Sequence, residues 1–468
     1  EDVVFSFEKF MTQGVPQFAS FYEDVDSYTA LDEHTVQFKL KQSNRDVLFA
    51  LATLTILPKH YWAERDLSEP LLEPPLSSGP YKVSDFEMGS WVKYERVDDY
   101  WAADLPVNKG RHNFGSLRYD YYKDTNVALE AFKAGEFDLR QENVSKNWAE
   151  LYNGPNMEAG YIVKEEIPHE IPQGMQGFVF NTEREFFSDV RVREALTLAM
   201  DFEWMNKSLF YDQYSRSLSY FQNSDYQASG LPSDAEVAAL EPYRDEIPAR
   251  VFTEAYSLPV TDGSGRNRRE LRRAGQLLDA AGWGLVDGKR VNAEGTELTF
   301  ELLAYSPTTE RITTPLIKNL EKLGVSMSIR MVDTAQYTKR MRDRDFDMIS
   351  SSWQTMLYPN SNLLFYWNSN YIDSTYNKPG VRSAAVDALT QAIADNQENP
   401  DQLAVLGPAL DRVLLWNFYA IPQWHISMFR VAYWDKFARP SLRPAYDLGV
   451  DTWWIDAEKA AKLPEGRQ

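Results

Sequence analysis

The residues able to carry chemistry are few, and their spacing argues against most of it. The five histidines, His34, His60, His112, His169 and His425, never pair at the spacing that gathers ligands around zinc, and no HExxH occurs. The chain has no cysteine, which removes disulfides, thiolate nucleophiles and cysteine-held metals. No GxSxG elbow is present, and Gly282-Trp283-Gly284 with Gly288 follows a helical stretch, so it reads as a helix stop and hairpin instead of a dinucleotide loop. The acidic pairs Asp98-Asp99 and Glu165-Glu166 leave one enzymatic alternative, an acidic glycoside hydrolase. Adjacent carboxylates on strand-like segments are usually solvated, however. The expectation is a protein with no catalytic residue and no metal ligand.

What remains is a supply of aromatic side chains, 14% of residues. Residues 353–367 hold Trp353, Tyr358, Phe365, Tyr366 and Trp367, interleaved with Gln354, Asn360, Ser361 and Asn362. Aromatic and amide groups together suit a ligand whose backbone needs hydrogen bonds while its side chains vary. Trp353 and Gln354 end a buried strand and are the leading contacts, followed by Thr355, Tyr358, Asn360 and Asn362. Gln173, Met175, Gln423 and His425 are further candidates, in two Pro-containing segments. Glu142 and Asp373 could draw Lys or Arg side chains of a ligand. About half of the aromatics are expected in the core, Phe365 and Trp367 first.

Strand, helix and turn signals that could position these groups alternate in two stretches. In residues 115–152, a strand-like run at 116–122 leads into helical spacing over 125–134. Gly135 ends it and a second strand covers 137–141, the pattern of a βαβ unit. In residues 266–352, Asn267 and Glu270 fit a capping box for a helix carrying Leu271, Ala274, Leu277, Leu278 and Ala281. Asp287-Gly288 and Glu294-Gly295 mark turns. Strands then follow at 298–305, 325–332 and 346–351, separated by helices ending at Leu323 and over 335–342. Parallel α/β sheets bind ligands beyond the carboxyl ends of their strands, and two such lobes would make a cleft. Residues 167–174 and 420–425 fit crossings between lobes, with hinges at 168–174 and 420–425, although each also fits an ordinary surface loop.

At 468 residues with 43% hydrophobic content, the chain can fill at least two cores. No run reaches the roughly 18 apolar residues of a membrane span. The net charge of -20 disfavours nucleic acid and anionic membranes as partners. The first residues already show helical apolar spacing (Val3, Val4, Phe7, Phe10) with no capping residue ahead of them, so the chain is expected to be cut into at its start.

Several segments resemble a known family. Ser78-Gly79-Pro80-Tyr81-Lys82-Val83, Tyr94-Glu95-Arg96 and Asp99-Tyr100-Trp101 are similar to the signature of extracellular solute-binding protein family 5, the oligopeptide, dipeptide and nickel carriers of bacterial ABC importers. Gly110-Arg111-His112-Asn113-Phe114, residues 130–138, Gly174-Met175-Gln176-Gly177-Phe178, Arg191-Val192-Arg193-Glu194-Ala195-Leu196, Asp201-Phe202-Glu203-Trp204 and residues 410–415 resemble its YejA-like branch, associated with oligopeptides and microcin C-type antibiotics. The resemblance implies an α/β, two-lobed periplasmic binding protein (type II, cluster C-like) with the N-terminal part of lobe I missing from this chain. Residues 1–170 would form lobe I, with a remnant of the accessory subdomain at about 1–75, residues 171–422 lobe II, and 423–468 the return to lobe I. It implies a periplasmic monomer that captures oligopeptides by lobe closure and delivers them to an inner-membrane ABC permease, with no cofactor. A separate N-terminal fragment of the same protein is a further expected partner. The alternative within binding proteins is another solute, such as a muropeptide, a sugar or a metal chelate. Dipeptide carriers of the family place an aspartate three residues after the tryptophan matching Trp353, to hold the ligand's ammonium. Met356 stands there in this chain, and Tyr358-Pro359-Asn360-Ser361-Asn362 also departs from the branch, so grip through the ligand's backbone is expected instead.

Overall fold

Gln176–Phe180 is a strand whose successive side chains feed opposite apolar layers, as a period of two requires. Phe178 and Phe180 pack with Val192, Leu196, Leu302 and Met348, while Val179 packs with Leu303, Ile349 and Leu410. In this computed structural model, which describes residues 1–14, 22–42, 45–67, 69, 71–354 and 357–467, the strand belongs to one of two compact units. These are residues 1–170 with 427–468, and residues 171–426.

The unit of residues 171–426 is built on a five-stranded sheet in the order Ser326–Met331, Thr299–Ala304, Met348–Ser352, Gln176–Phe180, Ala420–Pro422. The first three strands are parallel, and Gln176–Phe180 runs against both of its neighbours. The sheet is therefore mixed, not purely parallel. Helices Val190–Leu198, Arg268–Ala280 and Pro307–Lys322 contribute to the layer holding Phe178, and Ala384–Asp395 and Pro400–Trp416 to the layer holding Val179. Within residues 266–352, helices and strands form in the order the spacing predicts. Asp287 and Gly288, with φ of 49° and 79°, make the two-residue turn of the hairpin Gly284–Val286/Lys289–Val291. The expected capping box at Asn267 does not form. Its side-chain amide instead donates to the Leu198 carbonyl at 3.1 Å, and Glu270 pairs with Arg269.

In the other unit, helix Thr125–Ala134 forms with Asp124 accepting from the N–H groups of Asn126 and Val127 and Gly135 at φ 88° as its stop. Its flanking strands do not make a βαβ unit. Ser116–Asp120 closes a meander with Tyr81–Glu87 and Trp91–Arg96, whereas Leu139–Gln141 pairs antiparallel with Met428–Trp434. Met428–Trp434 lies between Leu139–Gln141 and Ile162–Pro168, with Val431 and Tyr433 in one apolar cluster and Ala432 and Trp434 in another. The strand that fills this sheet comes from nearly 300 residues away, which local periodicity cannot reveal. Among the described residues, no helix is long and apolar enough to cross a membrane.

Candidate ligand-binding site

Trp353 follows the carboxyl end of strand Met348–Ser352, and its backbone N–H donates to the Met175 carbonyl at 2.8 Å. The close approach of these two segments depends on Gly174, because a Cβ there would land on the carbonyl oxygen of Trp353. The Trp353 indole stacks on Trp367 with ring centroids 4.9 Å apart and meets the edge of Tyr220 at 5.5 Å. Aromatic contacts of this kind contribute roughly 0.5–1.5 kcal/mol beyond area burial. With Trp353 only 4% exposed, the stack forms the wall of a pocket and not a free-standing platform.

That pocket encloses about 140 Å³ within residues 171–426 and is lined by Tyr220, Phe221, Trp353, Gln354, Tyr358, Pro359, Asn360, Asn362, Leu363, Tyr366 and Trp367. A space of about 150 Å³ accepts a benzene-sized group, so the pocket fits one side chain and not a whole oligomer. Its polar groups divide into committed and open ones. The Asn360 side-chain oxygen accepts from the Asn362 N–H at 3.1 Å, and Asn360 is buried. Among the described residues, the carboxamides of Gln354 and Asn362 make no hydrogen bond to protein, and Gln354 is exposed. The lining carries no carboxylate, imidazole or amine, so nothing in it can move a proton near neutral pH. Apolar enclosure with open amides can hold a side chain while bonding the peptide group beside it.

The loop bearing Tyr220 and Phe221 is fixed from below. Asp411, fully buried in helix Pro400–Trp416, accepts from the Tyr220 N–H at 2.8 Å, the Ser219 hydroxyl at 2.7 Å and the Ala228 N–H at 2.9 Å. Gln173 joins the same loop through its N–H to the Gln222 carbonyl at 2.7 Å.

The structure thus brings together Trp353, Gln354, Tyr358, Asn360 and Asn362, with Gln173 and the buried Met175 behind them. Thr355 and Met356 lie outside the described residues. Gln423, 0% exposed, is held between Gln176 at 2.7 Å and Ser350 at 3.3 Å. His425 sits on the short strand Trp424–His425, paired with Ser215–Arg216, its Nδ1 3.4 Å from the Ser217 hydroxyl. Neither lines the pocket. Glu142 belongs to the other unit, where its buried carboxylate takes bonds from Arg140, the Tyr152 hydroxyl and the Val144 N–H, leaving no open face for a cationic ligand group. Asp373 is exposed. Phe365, expected in the core, is only half-buried, while Trp367 is buried. Sequence reading missed Tyr220, Phe221 and Leu363, which carry no local mark of a site. Asp411 had one, an acid beside Arg412 inside the otherwise apolar run 403–416.

A family model for the middle part of bacterial extracellular solute-binding proteins, family 5, matches residues 1–375. The chain belongs to this family. Among family 5 relatives, it is 50% identical over 464 residues to the "Uncharacterized protein YejA" of Escherichia coli (strain K12), covering 99% of this chain and 77% of that one. It is 39% identical over 468 residues to the "Probable peptide-binding protein YejA" of Agrobacterium fabrum, covering 97% and 76%. The solved structure of the oligopeptide-binding protein AppA from Bacillus subtilis, in complex with a nonapeptide, superposes with a TM-score of 0.70 at 20% identity, covering 97% of this chain and 83% of that one. The fold is that of family 5 binding proteins, which are solute carriers and not enzymes.

Proposed function

We propose that the protein is a periplasmic carrier that captures oligopeptides and delivers them to an ABC importer in the inner membrane. The pocket at Trp353 carries this reading, because it combines a space for one side chain with open amides at Gln354 and Asn362 and no group for bond-breaking chemistry. A ligand held this way is gripped by shape and by its peptide groups, so affinity need not depend on one sequence. Water filling spare volume would let side chains of different size share the site. The name of the Agrobacterium relative and the nonapeptide in the Bacillus neighbour point to the same ligand class.

The experiment is native purification followed by mass spectrometry of whatever stays bound, with a mixed peptide pool added to the emptied protein. Enrichment of peptides of several sequences supports the reading. Recovery of sugars or metal chelates only, with no retained peptide, overturns it.

A further inference from the structure

Lys378 is a cation whose burial is not matched by an acid. Among the described residues, Lys59, Lys93, Lys133, Lys289, Lys339, Lys436 and Lys459 pair with a carboxylate, and Lys378 is not one of them. It is half-buried, its Nζ donates to the carbonyl of Ser352, and the same Nζ lies 5.2 Å from the ring centroid of Trp353. No charged side chain among the described residues offsets its burial, which pushes the ammonium down to about 8.

An ammonium has three donors, and Ser352 takes one. The aromatic face of Trp353 gives a second, weaker attraction. Desolvation has weakened the hydration of this cation without supplying an anion, a costly state unless a partner arrives. Trp353 is also a wall of the pocket, and the pocket lining contains no acid to neutralise the lysine or to attract a ligand's ammonium.

We infer that Lys378 is a specificity-determining residue that recognises a carboxylate on the ligand next to the group seated against Trp353. The carboxylate can come from a free C-terminus or from an Asp or Glu side chain. The inference rests on the peptide reading of the Trp353 pocket and adds the charge that reading leaves open.

The test uses alanine-based hexapeptides with one phenylalanine in three forms: free acid, C-terminal amide, and amide carrying one glutamate. Each is titrated calorimetrically into the full chain, into Lys378→Met and into Lys378→Arg. The wild-type chain should bind an acid-bearing form roughly tenfold tighter than the neutral amide, the worth of one charge-assisted hydrogen bond. Preference for the free acid alone identifies the terminus as the source, and equal preference for the glutamate amide identifies the side chain. The acid-to-amide ratio should fall toward one in Lys378→Met and persist in Lys378→Arg. Equal binding of all three forms by the wild-type chain overturns the role of Lys378 and leaves peptide capture standing. Failure of every form to bind overturns both.

Discussion

Asp411 and Arg412 are neighbours on one buried helix and hold backbone groups of opposite polarity. Asp411 collects donors, the N–H groups of Tyr220 and Ala228 and the Ser219 hydroxyl. Arg412 supplies hydrogen bonds to the carbonyls of Ser229 at 2.7 Å, Gly230 at 2.8 Å and Leu231 at 3.2 Å, and to Glu236 at 2.6 Å. Glu236 in turn closes a capping box with Ser233 at the start of helix Asp234–Leu240. Two adjacent side chains therefore strap residues 219–236 to the helix, and the first part of that strap is the Tyr220–Phe221 wall of the pocket.

Replacing the buried Asp411 with Ala strands three donors, the N–H groups of Tyr220 and Ala228 and the Ser219 hydroxyl. Each lost partner costs about 1–3 kcal/mol, so Asp411→Ala should lower stability by about 3 kcal/mol or more, read from urea unfolding. Amide exchange at Tyr220 and Ala228 should accelerate well beyond the change at the sheet strands. Unchanged protection at both amides would show that the strap is held by something else.

The same carboxyl sets a pH dependence whose sign is fixed. Burial pushes it up to about 6, against the downward pull of Ser219, Ala228, Tyr220 and Arg412. In the unfolded chain an aspartate titrates at about 3.9. Between about pH 4 and 6 the unfolded chain has released this proton while the native state keeps it, so raising the pH across that window favours unfolding. The contribution is present in full below the unfolded value and is lost as pH rises through about 6. Asp411→Asn removes the titration. The stability of wild type minus that of Asp411→Asn should therefore fall by on the order of 2–3 kcal/mol from about pH 4 to about pH 7. A flat difference across that range contradicts the raised value.

Gly174 and Gly284 give opposite forecasts for the same change. Ala at 174 drives its Cβ into the Trp353 carbonyl, a backbone atom that cannot swing aside, whereas nothing lies within 4 Å of the corresponding position at Gly284. Gly174→Ala should cost about 3 kcal/mol or more and weaken ligand capture, because the segment it displaces holds Trp353. Gly284→Ala should stay within about 0.5 kcal/mol of wild type. Thermal unfolding of the pair decides the point.

Legibility in the sequence followed the range of the interactions. Helix Arg268–Ala280 and the elements up to Met348–Ser352 were readable because apolar spacing and the glycine stops at 282 and 324 are local. The grouping of Trp353, Gln354, Tyr358, Asn360 and Asn362 was readable for the same reason, since ten residues span it. Strand partners were not. Leu139–Gln141 is Leu-Arg-Gln, with one apolar residue and no pattern that names a partner, and Met428–Trp434 gives it a sheet. Asn267 showed a capping motif but was claimed by the Leu198 carbonyl, a tertiary contact that outcompeted the local one. Asp411 and Tyr220, 191 residues apart, share no pattern that spacing could disclose.

The pocket's two kinds of residue should separate stability from binding. Trp367 is 1% exposed and stacks on Trp353 while meeting Tyr220 edge-on at 5.0 Å. Trp367→Ala leaves a cavity at the centre of that cluster and should cost about 3–5 kcal/mol. Among the described residues the side-chain amides of Gln354 and Asn362 have no protein partner, so Gln354→Ala and Asn362→Ala should each unfold within about 0.5 kcal/mol of wild type. If these amides serve the ligand's peptide groups, each loss should weaken capture of the natively carried ligand by about 1 kcal/mol, roughly fivefold. Denaturant midpoints and calorimetric titration of the two single variants and their double measure both quantities on the same samples. A double variant that binds like wild type would mean that the open amides face solvent only, and that the pocket holds its ligand through apolar enclosure alone.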